Sequence, residues 1–274
     1  MALKILSASI ALPKSFSWSS WSDESSLVGG ESLQDPDLKG FAKFPANRFR
    51  FLDRASKIAI FLAEKALAPL LLSSEQRSTT AICFGMDQST FISNLEHLNR
   101  IQQRLPLSPG IFTTTLPNIP GAMISITQQI YGAHYTFASG AFSFLQALEH
   151  SFYLAQKQPH SLVLCGTVVC SPVSWKLPYP ELGLVFIFQR SEEEKGTRLE
   201  FFLEKCEGSL LQEKSSFIYL ENPEWLPCWA GEGTFALLLA SLLRSKQGRY
   251  RIGMRQGDWI GGVQLSLESP LCFV

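Results

Sequence analysis

The sequence predicts a layered α/β fold, and three observations carry that expectation. Short apolar runs with strand character alternate with amphipathic helical stripes over about the first 190 residues. The runs TTAICFG, HSLVLCGTVV and ELGLVFIFQR are apolar almost throughout, the pattern of strands covered on both faces. The remainder repeats part of the theme in fewer residues, so the chain reads as one domain over 1–274 with a complete N-terminal half (1–190) and an abbreviated C-terminal half (191–274).

The first element, LKILSASIAL (Leu3 to Leu12), alternates as a strand does. Lys14 to Gly40 is rich in Ser, Gly, Asp and Trp without a period and reads as loop. Asp53 opens a helix whose apolar stripe runs through Ile58, Phe61, Leu62, Ala66 and Leu67 and stops near Pro69. Thr79 to Gly85 is a buried strand ending in glycine, and Ser89 to Arg104 is an amphipathic helix. After the Pro-bounded segment PLSPGIFTTTLPNIPG, the run AMISITQQIYG is a helix closed by Gly132. HYTFAS is a short strand, GAFSFLQALEHSFYLAQ a long helix and HSLVLCGTVV a strand; a Pro-rich loop leads to the strand ELGLVFIFQR. In the last third RLEFFLEKCEG is strand-like, GTFALLLASLLRSKQG a helix, and RYRIGMR with WIGGVQLSLES two further strands.

Composition excludes several classes of function. With 24 basic residues against 24 acidic ones and no block of like charge, nothing marks a track for a phosphate backbone, so no nucleic-acid partner is expected. The longest apolar run, Phe235 to Leu243 with one serine, is about half the ~20 residues of a bilayer-spanning helix, so no membrane span is expected. The lysine and short apolar stretch at the start break at Pro13 without a small-residue cleavage site, which argues against a leader. Cys83, Cys165, Cys170, Cys206, Cys228 and Cys272 are irregularly spaced, with no CxxC pair and no histidine set beside them. That favours neither a disulfide framework nor a metal site, and a reducing cytoplasm fits best. Cys83 and Cys165 lie inside apolar strands, where a thiol acts as a small hydrophobe.

One helix start points to chemistry. In TFASGAFSFLQAL a strand turns through small residues straight into a helix, which sets Gly140 or Ala141 at the helix N-terminus. Unpaired N–H groups and the helix dipole stabilise an anion there, and enzymes place a thiolate at such a site because the field lowers its pKa. This chain has no cysteine at that place.

Here the sequence resembles the β-ketoacyl synthases, which have a thiolase-like fold of helices covering mixed β-sheets. Their nucleophile motif reads like TxxTACSSSLxAL, and Thr136, Ser143, Leu145, Ala147 and Leu148 match it, with the cysteine position falling on Ala141. LDRASKIAIFLAEKAL looks like the family's MDRxSxLALxAxxEAL helix. LSPGIFTTTLPNIPGAMISITQQIYGAHYTFASG looks like its sPxxFxxxxxNxxaxxIsixxgxxGpxxTxssa stretch, with Asn118 at the asparagine. HSLVLCGTVV is similar to the strand after the nucleophile helix, EGTFALLLASLLRSKQG to the aaGxxgLxxxLLxLxxG helix, and DWIGGVQLSLES to the closing glycine-rich strand, with Gly261 and Gly262 on its glycine pair. The HGTGT segment is missing, since His97, His134, His150 and His160 all precede residue 161, and where the second catalytic histidine should stand the chain reads Gln256, Gly257, Asp258.

Condensation in this family needs a thiolate to hold the acyl chain and two histidines to decarboxylate the malonyl unit and stabilise the oxyanion. The resemblance therefore implies a catalytically inactive subunit, needing no cofactor, with no catalytic residue and no metal. Family members of this kind are the chain-length factors of type II polyketide systems, and the shortened C-terminal half is like those of aryl-polyene pathways. The implied partners are an active β-ketoacyl synthase, in a heterodimer formed through the sheet edge before the nucleophile helix, and an acyl carrier protein that docks to the complex. The implied tunnel and interface candidates are Ile111, Phe112, Thr113, Thr114, Thr115, Leu116 and Asn118, with Ser139, Gly140 and Phe142 around the lost nucleophile. Where better-known chain-length factors carry glutamine, this chain has Ala141.

Two other readings stand beside this one: a scaffold that only stabilises a partner enzyme, and an independent acyl-binding or hydrolytic enzyme using Ser139 or Ser143. A serine nucleophile needs a base in reach, so Ser143 is expected to cap or pack instead. His134 could face the cavity but is more simply a surface or core residue, and His150 and His160 read as exposed. Acyl carriers are acidic; Arg48, Arg50, Arg54 and Lys57 form the densest basic cluster that could receive one, and Glu192 to Glu194 read as a solvated turn. The 20 phenylalanines and 6 tryptophans exceed the needs of a core and suggest a tunnel or an interface.

Overall fold

The computed structural model describes residues 3–12, 33, 36, 52–86, 90–158, 161–170, 181–190, 198–205, 216–220, 226–228, 236, 239–240, 248–256 and 259–267. The expected loop over Lys14 to Gly40 (save Leu33 and Pro36), Arg48, Arg50, His160, the Pro-rich loop, Glu192 to Glu194, Cys206, Cys272, Gly257, Asp258 and most of the Gly233 to Gly248 helix lie outside the described residues.

Among the described residues ten strands form two five-stranded sheets. The first contains β1 (Leu3–Ala11), β2 (Ala81–Gly85), β3 (His134–Phe137), β4 (Val163–Val169) and β5 (Leu182–Arg190), in the order β1-β5-β4-β2-β3. Strand β2 runs parallel to β3 and β4, while β5 is antiparallel to both β4 and β1. The second sheet contains β6 (Arg198–Lys205), β7 (Ser216–Leu220), β8 (Leu226–Cys228), β9 (Gly248–Gln256) and β10 (Trp259–Leu267), antiparallel in the order β6-β10-β9-β7-β8. The helices are α1 (Arg54–Leu67), α2 (Ser74–Thr79), α3 (Phe91–Gln102), α4 (Pro109–Thr114), α5 (Ile119–Gln128) and α6 (Ser143–Lys157).

The first sheet is buried on both faces, which is why its central strands read as unbroken apolar runs. Along β5, Val185 and Ile187 pack with Ile58, Leu62 and Ile124 of α1 and α5. The alternate residues Leu184, Phe186 and Phe188 pack with Phe144, Leu148 and Phe152 of α6. Val263 of β10 and Ala236, Leu239 and Ala240 belong to the α6 core as well, so α6 lies between the two sheets. This is the layered architecture the sequence predicts.

Differences from the expected elements have local causes. Helix α2 was not expected; Ser73 caps it by accepting from the Gln76 N–H at 3.1 Å while the Gln76 side chain accepts from the Ser73 N–H at 2.9 Å. Thr79 ends that helix, so β2 starts at Ala81 rather than Thr79. The Pro-bounded segment contains α4, with Pro109 in its first turn, and α5 starts at Ile119, with Pro120 in its first turn, instead of at Ala122. Strands β7 and β8 are additions to the abbreviated half.

Of the basic cluster, Arg54 is held against Glu181 rather than free at the surface, while Arg48 and Arg50 lie outside the described residues. Its guanidinium donates to Glu181 Oε1 at 2.9 Å, pairs with Oε2 at 2.7 Å and also donates to the Leu33 carbonyl. The Leu33 N–H donates to the same carboxylate at 2.6 Å, and Glu181 is 2% exposed. This network ties the start of α1 and Leu33 to the start of β5. Removing one partner of a buried ion pair leaves the other uncompensated, so Glu181→Gln is expected to lower folding stability by about 3 kcal/mol, read as a shift in denaturant midpoint at unchanged m-value. A loss below about 1 kcal/mol would mean that water screens the pair.

Candidate functional site

Strand β3 delivers the chain to the candidate site. Among the described residues it is an edge strand of the first sheet, paired with β2 alone through the register Ile82–His134 to Gly85–Phe137. Ala138 and Ser139 follow, then a single 3-10 turn, Gly140–Phe142, leads directly into α6. Gly140 has φ 61°, the left-handed region where a side chain is strained, which explains a glycine at the sharpest point of the turn. Ala141 is the middle residue of that turn, at the N-terminal end of α6, and β9 of the second sheet approaches the turn.

Ser143 fixes the turn rather than serving as a nucleophile. Its hydroxyl donates to the Gly140 carbonyl at 2.6 Å and accepts from the Ser139 N–H at 2.9 Å, and the residue is fully buried. Ser139 is exposed, and among the described residues no hydrogen bond joins either serine to a histidine. The base that a serine hydrolase requires is therefore not assembled here. Phe142 is half-buried and packs on the core around α6.

The remaining expected residues form a second group on α4 and the start of α5. Phe112, Thr113, Leu116 and Asn118 are exposed, Ile111 and Thr115 are half-buried, and Thr114 points inward at 7% exposure. Each threonine hydroxyl donates to a carbonyl one turn back: Thr113 to Gly110 at 2.8 Å, Thr114 to Ile111 at 2.8 Å and Thr115 to Phe112 at 2.7 Å. The Asn94 side chain reaches across from α3 to the Thr115 carbonyl at 3.3 Å, and the His97 ring lies 5.7 Å from that of Phe112.

His134 does not turn towards Ala141. Its Nε2 sits 3.2 Å from Thr136 Oγ1 and against Gly121 of α5, where any side chain would collide with the ring. Burial pushes its pKa below the usual histidine value. His150 is half-buried rather than exposed: its ring centroid lies 4.4 Å from Tyr135, 5.5 Å from Phe137 and 5.8 Å from Tyr153, and Lys157 Nζ stands 5.7 Å from the centre of the Tyr153 ring. This aromatic group at the open edge was missed by the sequence reading. The alternation of Tyr135 and Phe137, with His150 and Tyr153 three apart on a helix, is the signal that could have found it.

No protein-family model and no curated protein matches the sequence. Solved structures do. The chain aligns with a chain of the ketosynthase ApeO in complex with its chain length factor ApeC from Xenorhabdus doucetiae at TM-score 0.62 and 16% identity, over 96% of this chain and 99% of that one. The chain has the β-ketoacyl synthase fold. The ishigamide ketosynthase/chain length factor gives TM-score 0.64 at 10% identity, over 98% of this chain and 100% of that one. The type II polyketide synthase complex AntDE:AntF, an acyl-carrier protein with its ketosynthase bound to the hexaketide, gives 0.53 at 14%, over 73% and 69%.

Within this fold Cys83 and Cys165 are structural thiols. Cys83 and Cys165 face each other across β2 and β4, both fully buried. Burial pushes Cys83 up to about 12 and Cys165 well above the ordinary thiol value of 9.0. Among the described residues no group of three metal-ligating side chains occurs, and no helix is long and apolar enough to cross a membrane.

Iodoacetamide at pH 8 is therefore expected to leave Cys83 and Cys165 unmodified in the folded chain and to label both after unfolding, read by peptide mass spectrometry. The folded thiols keep their protons where unfolded ones ionise. Their contribution to stability is complete below about pH 9 and falls as pH rises towards 12, so denaturant midpoints should decline over that window. Rapid native labelling would place these thiols at the surface.

Proposed function

We propose that this chain is a non-catalytic, ketosynthase-like subunit, a chain-length factor that pairs with an active β-ketoacyl synthase and shapes the tunnel for its growing polyketide or polyene chain. One observation carries the reading: the strand-to-helix turn where the resemblance expects the acyl-bearing cysteine has Ala141, which forms no thioester. Neither histidine of the resemblance has a counterpart. The alignments support the same reading, since they cover 99% and 100% of a matched chain in two ketosynthase/chain-length-factor complexes.

The partner docks along β3. An edge strand leaves a row of N–H and C=O groups unpaired, and β3 contains no proline or lysine to discourage pairing. Tyr135 and Tyr153 are 38% and 52% exposed beside it, the composition of an interface core. The acyl tunnel runs past α4, where the outward residues Phe112 and Thr113, with Leu116 just after the helix, limit its length; Ser139, Gly140 and Phe142 form the wall at the lost nucleophile. The carrier protein delivers acyl groups to the complex, in a reducing cytoplasm where buried thiols stay free.

Co-expression with each ketosynthase encoded beside this chain tests the pairing. A stable one-to-one complex by size-exclusion chromatography and intact mass is expected; a monomer that ignores every ketosynthase would sink the reading. In that complex Phe112→Ala should lengthen the product and Thr113→Phe shorten it by one or more extension units, read by mass spectrometry. An unchanged product would reduce the chain to a scaffold. Thr114→Phe is a poor probe, because Thr114 points into the fold and a larger side chain overpacks it.

Restoring the thiol alone should not restore condensation. Ala141→Cys is expected to gain a labelled cysteine with malonyl-dependent product formation still absent from the isolated chain, since no histidine stands ready to decarboxylate or to stabilise the oxyanion. Turnover by that variant would show that other residues supply those roles.

A further inference from the structure

The two faces of the second sheet differ in composition. Val263 of β10 is fully buried, and Phe201, its register partner on β6, packs on the same core. Among the described residues, α6, the turn before it and Ala236, Leu239 and Ala240 approach the sheet in that core. Successive residues of a strand belong to opposite faces, so register with Val263 assigns Tyr250, Ile252 and Met254 of β9 to the covered face.

The opposite face holds the charge. Strands β6 to β10 contain seven charged residues, and register assigns six of them to that face: Arg198, Arg249, Arg251 and Arg255 against Glu200 and Glu204. The exception is Lys205, the last residue of β6. Arginine alternating with tyrosine, isoleucine and methionine along β9 is the pattern of a sheet covered on one face only. At the middle of the charged face, Gly253 and Gly262 stand opposite each other, and the next positions across the strands are Phe217 and Phe202. Glycine inside a strand weakens it and marks a place where another backbone approaches closely. Two adjoining glycines make a seam across the strands. Gly253 is two residues from both Arg251 and Arg255, so each arginine position lies roughly 7 Å from the seam. A helix is about 10 Å across. One laid on the seam has phenylalanine positions towards its two ends and an arginine position along each flank.

We infer that this face of the second sheet receives an acidic helix of the acyl carrier protein, seated on Gly253 and Gly262 with its carboxylates against Arg251 and Arg255; the carrier as partner rests on the subunit reading above. Charge decides the occupant. Four arginines against two glutamates stand on one face of a chain whose charges balance overall, and an acidic protein surface is the complement. Every cation on the face is an arginine, the side chain that pairs with carboxylates through two parallel hydrogen bonds. A nucleic acid is a weaker match, because Glu200 and Glu204 interrupt a track for phosphates.

The test measures binding of the holo carrier protein encoded beside this chain, by fluorescence anisotropy, to the full chain alone and to its complex with the ketosynthase. Arg251→Glu with Arg255→Glu is expected to weaken binding by about tenfold or more and to reduce its sensitivity to salt. Gly253→Val, which leaves the charge unchanged, should weaken it as well, while Arg251→Lys with Arg255→Lys retains most of it. Circular dichroism and the denaturant midpoint check each fold; should the double reversal unfold the chain, Arg251→Gln with Arg255→Gln carries the same test. Parent-like affinity in the folded charge variants would overturn the face and leave the subunit reading standing. Single-stranded RNA or phosphatidylglycerol vesicles that displace the carrier, and whose binding is lost in the same variants, would assign the face to phosphate groups and overturn the carrier. A reversed chain that no longer pairs with the ketosynthase would give the face to that chain instead. If no ketosynthase pairs with the parent, the subunit reading fails, and carrier binding to the chain alone then decides the face by itself.

Discussion

Burial of the first sheet on both faces is the constraint from which the rest of the structure follows. Strands β4 and β5 send alternate residues into two separate cores, Leu164, Val185 and Ile187 to one side and Cys165, Phe186 and Phe188 to the other. A sheet covered this way needs a helical layer on each face. Helices α1 and α5 supply one layer, and α6 supplies the other while also meeting β10. That second contact makes α6 a shared element, so its N-terminal turn sits where the two sheets converge. A reacting group at that turn would be held by both halves of the chain, and Ala141 occupies the place with the scaffold around it intact.

The turn is tightly built although it carries Ala141 where a thiol would stand. Gly140 accepts a conformation other residues resist, and Ser143 bonds to both sides of it from a fully buried position. The hydroxyl that looked available for hydrolysis in the sequence is instead a structural bridge, the simplest use of a buried serine with two partners in reach.

Much of this was legible in the sequence where burial imposes a pattern. The stripe of α1, the apolar runs of β2, β4 and β5, and the turn from β3 into α6 all read directly, since each couples a period or a composition to a covered face. Short elements did not. Helix α4 was masked by prolines that break a helix interior but are tolerated in its first turn, and α2 is held by a capping box around only six residues. Strands β7 and β8 are five and three residues long, too short for a strand period to show. Nor does any local signal mark the role of Arg54, whose hydrogen bond with Glu181 spans 127 residues. The Tyr135, His150 and Tyr153 group is recognisable only once β3 is known to be an edge.

That edge accounts for the distribution of exposed apolar surface. A soluble sheet protects its rim with charge, proline or a covering element. Here the strand at the rim is flanked by tyrosines and followed into a helix whose first charged residue is Glu149. Leaving such a surface in water is unfavourable by roughly 25 cal/mol for each Å² of apolar area, and the same area becomes a driving force once covered. A partner that binds only the folded form and covers this edge would raise the stability of the fold by mass action, so the exposure of the edge and the stability of the chain are linked through one composition.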